Sequence, residues 1–339
     1  LSQLPADVEL PLAYSYNQQP ASVKVKLERR QTEIRVSGYH TIIVSEAGLD
    51  MTHKLEYVIE FAAVDRLRAD TAVTVRNLRP VVDSLRVVKD AAELAALRRA
   101  IDITAEAHRQ VLATLEPGMF EYQTEAVLEG TFRRLGADRV GFPSIVGSGP
   151  NSTTLHYDVN RRRMNAGETV VVDIGAEYGQ YTADVTRTYP VSGTFSPRQK
   201  ALYELVLGAN QAVIDSTRPG ITLGRLNQIA REYLRTHSGD LCGSTTCDTY
   251  LIHGVSHHIG MDVHDAGPGG APLAPGMVFT DEPGLYFPDE ALGFRIEDDV
   301  LVTATGHEVL SAGAPKTVAE IERLMRRTAA PKRRPGREE

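Results

Sequence analysis

The chain has 339 residues, 42% hydrophobic and 24% charged, with a formal net charge of -7. That length holds one large or two ordinary domains, and the apolar share excludes a chain disordered throughout. The acidic balance argues against a nucleic-acid partner, and no apolar run approaches the roughly 18 residues of a membrane span, so neither nucleic acid nor membrane is expected as a partner. The first eleven residues mix acids and prolines and do not read as a signal peptide. The two cysteines, Cys242 and Cys247, are too few for a disulfide framework or a structural zinc cage. Both are expected to be reduced, in a cytoplasmic protein.

Residues 1–86 read as a small α/β domain, with short strands at 41–44 and 72–75. A helix is expected over 55–67, where Leu55, Ile59, Ala62 and Ala63 share one face. From Asp90 the signals sharpen. Asp90 and Glu93 form a capping box ahead of an apolar stripe of Leu94, Leu97, Ile101, Ala105 and Leu112, and Pro117-Gly118 ends that helix. A second helix runs over 121–135 and stops at Gly136. Ser196-Pro197 opens a long helix that ends at Pro219-Gly220, and another follows over 222–235. Residues 326–339 carry six basic side chains and two prolines and read as a solvated, disordered end.

Helix, Pro-Gly, helix and strands therefore occur twice. AGETVVVD at 166–173 is similar to PGMVFTDE at 275–282, an offset of 109 residues that superposes Asp173 on Glu282. This is an internal pseudo-two-fold repeat over 87–325, and a site between its halves is the natural inference.

Residues 170–175 and 181–189 read as strands around a tight turn near Tyr178-Gly179, which would set Asp173 opposite Asp184. Strands at 278–286 and 294–302, around Asp289-Glu290, would set Glu282 opposite Glu297, with Pro283 able to introduce a bulge. Like charges facing each other destabilise a sheet. Two such pairs, one in each half, ask for a divalent cation, although acids on a solvated face remain the alternative. Four of the ten histidines lie in residues 253–265, HGVSHHIGMDVHD, where neutral imidazoles could join the carboxylates as ligands. By spacing alone His156 reads as a hydrogen-bonded structural histidine. Carboxylates plus a histidine suit Mn, Fe, Co or Zn in a two-metal site. Metals about 3.5–4 Å apart can bridge a hydroxide and polarise the group it attacks, which is hydrolysis of an amide or of a phosphate ester.

The VDIG and ADVTRTYP segments, the 253–265 stretch, EPGLY at 282–286 and RIEDD at 295–299 together resemble the motifs of the pita-bread metallopeptidases, over 82–324. Within that family RPVV at 79–82, PGMFEY at 117–122 and IVGSG at 145–149 are most similar to the aminopeptidase P branch, which cleaves before a proline in second position. The resemblance implies an α+β fold with a pita-bread catalytic domain, behind a small α/β N-terminal domain. It implies two divalent metals, Mn foremost with Co, Zn or Fe as alternatives, held by Asp173, Asp184, His257, Glu282 and Glu297. Asp184 and Glu297 would serve both metals, and Glu282 would also take the proton from the attacking water. His264 would stabilise the tetrahedral intermediate, and His156 would contact the scissile region, reversing the reading from spacing. His253, Tyr286 and Arg295 would shape the substrate pocket. Peptides beginning Xaa-Pro and a homodimeric partner are implied as well.

Two departures stand out. The N-terminal region is short and matches poorly, and Asp281 replaces the apolar residue usual before the metal-binding Glu. Strand alternation would point that acid away from the metals. The close rival is an Xaa-Pro dipeptidase, which needs a cation for the substrate carboxylate. The loop at 266–277 has no Arg or Lys, which favours longer peptides. Methionine aminopeptidase fits the motifs less well, and a non-catalytic binding module of this fold would have lost ligands that are all present here.

Overall fold

The computed structural model describes residues 79–267 and 270–328 continuously and, before them, four short strands. The chain divides into two compact units, Leu1–Pro80 and Val81–Glu339. In the first, β1 (Val25–Leu27) pairs with β4 (Leu67–Ala69), and β2 (Arg35–Val36) pairs with β3 (Ile59–Glu60), both antiparallel. These strands correct the helix expected over 55–67. A short apolar run with valine and isoleucine carries no decisive period, and ladder partners distant in sequence decide its state. The strands expected at 41–44 and 72–75, and the basic end from 329 onward, lie outside the described residues.

From residue 79 onward the helices are α1 (Arg79–Val87), α2 (Ala91–Thr114) and α3 (Glu121–Arg134). Asp90 caps α2 as its sequence requires: its carboxylate accepts from Ala92 N and Glu93 N, while the Glu93 side chain accepts from Asp90 N. Strands β5 (Arg139–Val140), β6 (Ile145–Ser148), β7 (Thr169–Ile174), β8 (Ala176–Tyr178), β9 (Tyr181–Thr182) and β10 (Val185–Pro190) complete the first half. The second half repeats the plan with α4 (Pro197–Ser216) and α5 (Leu223–Thr236). The strands β11 (Val278–Asp281), β12 (Gly284–Phe287), β13 (Leu292–Arg295), β14 (Asp298–Val302) and β15 (His307–Val309) follow, and α6 (Val318–Thr328) closes the described chain.

β7 is buried at every position, and so is β10. A strand that reads TVVVDI without alternation has both faces covered. One cover is helical: α2 lies against β8, β9 and β10, and α4 against β11, β12 and β13. The other is the opposite half, where β13 meets β7 and β10. The two sheets therefore face each other, and their inner faces carry the acids.

The hairpin register differs between halves. In the second half Asp281 faces Asp298 and Gly284 faces Arg295, with both ladders interrupted at Glu282-Pro283 and Ile296-Glu297. That is the pairing expected from sequence, with the break that Pro283 made plausible. In the first half Asp173 faces Thr186, so the expected opposition of Asp173 to Asp184 is corrected. The turn is centred on Gly179-Gln180, one residue later than expected. Both residues are left-handed, with φ of 57° and 69°, which is the geometry a two-residue hairpin turn demands. Moving a turn by one residue moves each pair by two, so Asp184 stays on the face of Asp173 as its diagonal neighbour. β9 ends at Thr182 and β10 begins at Val185, so Asp184 also sits in a ladder break. At this crossing a Cβ on Gly175 would lie 1.8 Å from the Ala183 carbonyl oxygen, closer than any side chain allows.

The cysteine reading is also corrected. Cys242 and Cys247 form a disulfide, with Cα atoms 5.3 Å apart. That distance suits a bridge without backbone movement. Counting cysteines had said nothing about how closely the loop would bring them together. Among the described residues no helix is long and apolar enough to cross a membrane.

Candidate metal centre

Three acids sit where ladders stop, Asp184, Glu282 and Glu297, and a fourth, Asp173, projects from β7. A strand interruption frees a carboxylate from strict alternation and lets it lean toward the opposite half. One donor atom each from Asp184, His257 and Glu297 falls within 4.8 Å of the others. His257 Nε2 lies 3.4 Å from Asp184 Oδ2 and 3.6 Å from Glu282 Oε1. Asp184, His257, Glu282 and Glu297, four of the five expected ligands, are therefore brought together from residues up to 113 positions apart.

The imidazole is prepared for this place. His257 Nδ1 is 3.1 Å from the His258 carbonyl, and its backbone N–H donates to Thr280 Oγ1 at 3.1 Å. A carbonyl beside Nδ1 assigns the proton there and leaves the Nε2 lone pair facing the carboxylates. Burial, with His264 adding to it, pulls its pKa down to about 4, so the ring is neutral at pH 7.

Glu297 accepts from Thr186 Oγ1 at 2.6 Å, and its backbone N–H donates to the Thr186 carbonyl at 3.0 Å. Burial first, then the Asp173 charge, pushes its carboxyl up to about 8. Asp184 is raised well above the usual carboxylate range by burial and by Glu297, and Glu282 by the same two causes. Four carboxylates thus act on one another electrostatically, with Arg295 among them. Its Nη2 donates to Asp173 Oδ2 at 2.7 Å, while Asp173 Oδ1 is buried without a hydrogen-bond partner. An unpartnered buried carboxylate oxygen, three carboxyls strained toward protonation and a free imidazole nitrogen are the conditions a divalent cation relieves. The residues present fit divalent metal.

Beside the acids runs a polar chain. Arg295 Nε donates to Thr186 Oγ1 at 3.2 Å, Nη1 to the Tyr286 hydroxyl at 2.9 Å and Nη2 to the Leu155 carbonyl at 3.3 Å. The Tyr286 hydroxyl lies 2.9 Å from His253 Nε2, and His253 Nδ1 lies 2.8 Å from the Gly254 carbonyl. With Arg295 donating to its oxygen, the Tyr286 hydroxyl donates its own O–H to His253 Nε2, which fixes a neutral His253 protonated at Nδ1. Burial holds that ring's pKa near 4. His264 stacks edge-on to His257 with ring centres 4.2 Å apart. Its pKa is lowered by burial and then by His156. His264 and His156 are both exposed, at the open side of the cluster.

A buried layer holds the cluster from behind. The Arg187 guanidinium donates to the Glu297 carbonyl and, at 2.7 Å, to Asp298 Oδ1, while Lys316 Nζ donates to Asp298 Oδ2 at 2.7 Å. These two cations hold Asp298 well below the usual carboxylate range despite burial. Asp281 is fully buried and accepts from Asn210 Nδ2 at 3.0 Å, on the α4 side. Alternation has turned it away from Glu282, as the sequence suggested. Thr186 and Arg187 were not expected as parts of the site. Thr186 was within reach, since counting two positions from Asp184 along the strand puts it on the same face.

Carboxylates and one imidazole of two apposed sheets, open on one side to exposed histidines, define a metal-dependent hydrolase. The chain belongs to metallopeptidase family M24, which it matches over residues 95–304. It is 38% identical over 312 residues to the Xaa-Pro aminopeptidase of Escherichia coli K12, covering 82% of this chain and 71% of that one. Among solved structures it resembles proline aminopeptidase P II from Yersinia pestis, with a TM-score of 0.71 and 38% identity, over 77% of this chain and 64% of that one. A zinc-substituted E. coli aminopeptidase P in complex with product matches with a TM-score of 0.73 and 37% identity, over 78% and 65%. The chain thus spans about seven tenths of the curated relative and under two thirds of each solved chain.

Proposed function

We propose that the chain is a dinuclear metallo-aminopeptidase that removes the N-terminal residue from peptides with proline in second position. The observation that carries this reading is the meeting of Asp173, Asp184, His257, Glu282 and Glu297 beside the Arg295–Tyr286–His253 chain. Relatives named for the same activity support it. Bound divalent ions, Mn foremost with Zn, Co or Fe as alternatives, would supply Lewis acidity and a water acidic enough to attack at neutral pH. Asp173 and Asp184 would hold them from the first half, and His257, Glu282 and Glu297 from the second.

The remaining work falls to this chain's own side chains. Glu282, with its raised pKa, is suited to take the proton of the attacking water and return it to the departing proline nitrogen. His264, at the rim next to His257, donates to the oxygen that becomes negative as the carbonyl turns tetrahedral. His156 meets the substrate from the loop after the 3-10 turn at Gly149–Thr153. His253 and Tyr286 wall the pocket, and Arg295 holds Asp173 in place through its hydrogen bond.

A homodimer belongs to the reading through resemblance, and sedimentation of the purified chain tests it. Cytoplasmic residence rests on charge and composition, whereas the Cys242–Cys247 bridge is what an oxidising compartment preserves. The fraction oxidised in cells decides between them.

The experiment is Mn-dependent cleavage of a tripeptide Xaa-Pro-Yaa beside a dipeptide Xaa-Pro, with Asp184→Ala as control. Cleavage of the tripeptide by the parent alone supports the aminopeptidase. Preference for the dipeptide makes the chain a prolidase, and no cleavage of either rejects the peptidase reading.

A further inference from the structure

His156 lies in a segment that no strand or helix carries. It follows a 3-10 turn at Gly149–Thr153, is exposed, and makes no side-chain hydrogen bond to another described residue. Something must nevertheless hold it near His264. Its neighbour Leu155 is tied through its carbonyl to Arg295, but a single 3.3 Å bond to one side of a loop does not fix the residue that follows.

The other constraint comes from the first residue of α3. Glu121 is fully buried. One of its oxygens, Oε1, accepts from Ser148 N at 2.9 Å, Ser148 Oγ at 2.7 Å and Asn151 Nδ2 at 3.0 Å. The other, Oε2, accepts from the Tyr157 hydroxyl at 2.9 Å and Arg162 N at 2.8 Å. Five donors thus converge on two oxygens, close to the acceptor capacity of an ionised carboxylate. Four of the five come from three different parts of one segment: its start at Ser148, its middle at Asn151 and the residue directly after His156. Arg162, at the far end, supplies the fifth and also donates to Ser148 Oγ at 2.9 Å, which closes the segment on itself. The Tyr157 phenol, pushed up by burial and then by its bond to Glu121, stays a donor at working pH. Asn160, left-handed at φ 50° and buried, turns the chain back by accepting from Val146 N and donating to Ser144 O.

We propose that Glu121 is a positioning residue that sets where His156 stands over the metal cluster, acting through Tyr157 and Asn151. This deepens the peptidase reading and rests on it for the role of His156. Charge and acceptor count require a carboxylate at 121: an amide would turn one of the two acceptor atoms into a donor facing the Tyr157 hydroxyl and Arg162 N–H.

Glu121→Gln could unfold the chain locally, so the decisive variant is the milder Tyr157→Phe, which removes a single hydroxyl. Its kcat/KM on Xaa-Pro-Yaa is compared in the parent and in a His156→Ala background, with bound metal counted in each. The expected result is a fall of about tenfold in the parent, the cost of one charge-assisted hydrogen bond, and under twofold when His156 is already gone, with metal content unchanged. Equal falls in both backgrounds would mean a general structural role and overturn the proposal. Hydrogen exchange over 149–158 gives a second readout that needs no activity. Faster exchange in Tyr157→Phe is expected, and unchanged exchange overturns the proposal even if the parent cleaves no peptide. A parent that is inactive on every peptide defeats the functional reading instead, and the exchange result still decides whether Glu121 orders the segment.

Discussion

Glutamine at position 297 keeps the volume of the side chain while deleting a carboxyl whose pKa has been pushed up to about 8 by burial and Asp173. A carboxyl raised in the folded state binds more protons there than in the unfolded chain. Stability is then greatest where it is protonated, and is lost as pH climbs from the ordinary carboxylate range toward 8. Metal-free protein should therefore melt several degrees lower at pH 8 than at pH 5, and Mn added at pH 8 should restore the loss by binding only the folded form. Glu297→Gln should flatten the pH dependence, and a melting temperature indifferent to pH in the metal-free parent would contradict this account. Arg295 works in the opposite sense as the cation among four acids. Arg295→Ala leaves Asp173 with no partner on either oxygen and should cost about 3–5 kcal/mol in urea unfolding of the metal-free protein. At this scale the gathering of these acids was legible in the sequence, because paired acids on adjoining strands ask for a cation. His156 was not legible from spacing, because what matters about it is nearness to His264, which is 108 positions away.

The hairpins show which parts of an element can be read locally. Helix starts at Asp90, Ser196 and Thr222 fell where their caps put them, because a cap is settled within four residues. Register was read correctly in the second half, where Pro283 announces the break. It was read two residues off in the first, where Tyr178-Gly179-Gln180 offers two equally plausible turn centres. Face survived the error while partner did not, because side-chain direction repeats every two residues. The bridge between Cys242 and Cys247 was illegible, since five residues of separation do not reveal the path between them. The crossing at Gly175 leads to a sharp expectation. Gly175→Ala must drive the Ala183 carbonyl aside, and Asp184 is the next residue. It should lower stability by about 2 kcal/mol or more and weaken metal binding by at least tenfold in competition with a chelator. Normal metal affinity in a folded Gly175→Ala would show that the strand break at Asp184 is not set by this contact.

Across the whole molecule, the disulfide and the repeat act at different ranges. Cys242 and Cys247 close a short loop, so replacing both with alanine should cost on the order of 2 kcal/mol, read as a lower urea midpoint at unchanged slope, and leave metal content intact. The repeat acts on assembly. Asp173 and Asp184 belong to one half, and His257, Glu282 and Glu297 to the other, joined through residues 191–196, which supply no ligand. On the proposed ligand set neither half holds a complete coordination sphere, so metal should not template either one, and capture is expected only after the sheets have met. A chain severed within 191–196 would make two fragments that are each poor chelators, and the uptake of metal on mixing them would be a direct signal that they had found one another.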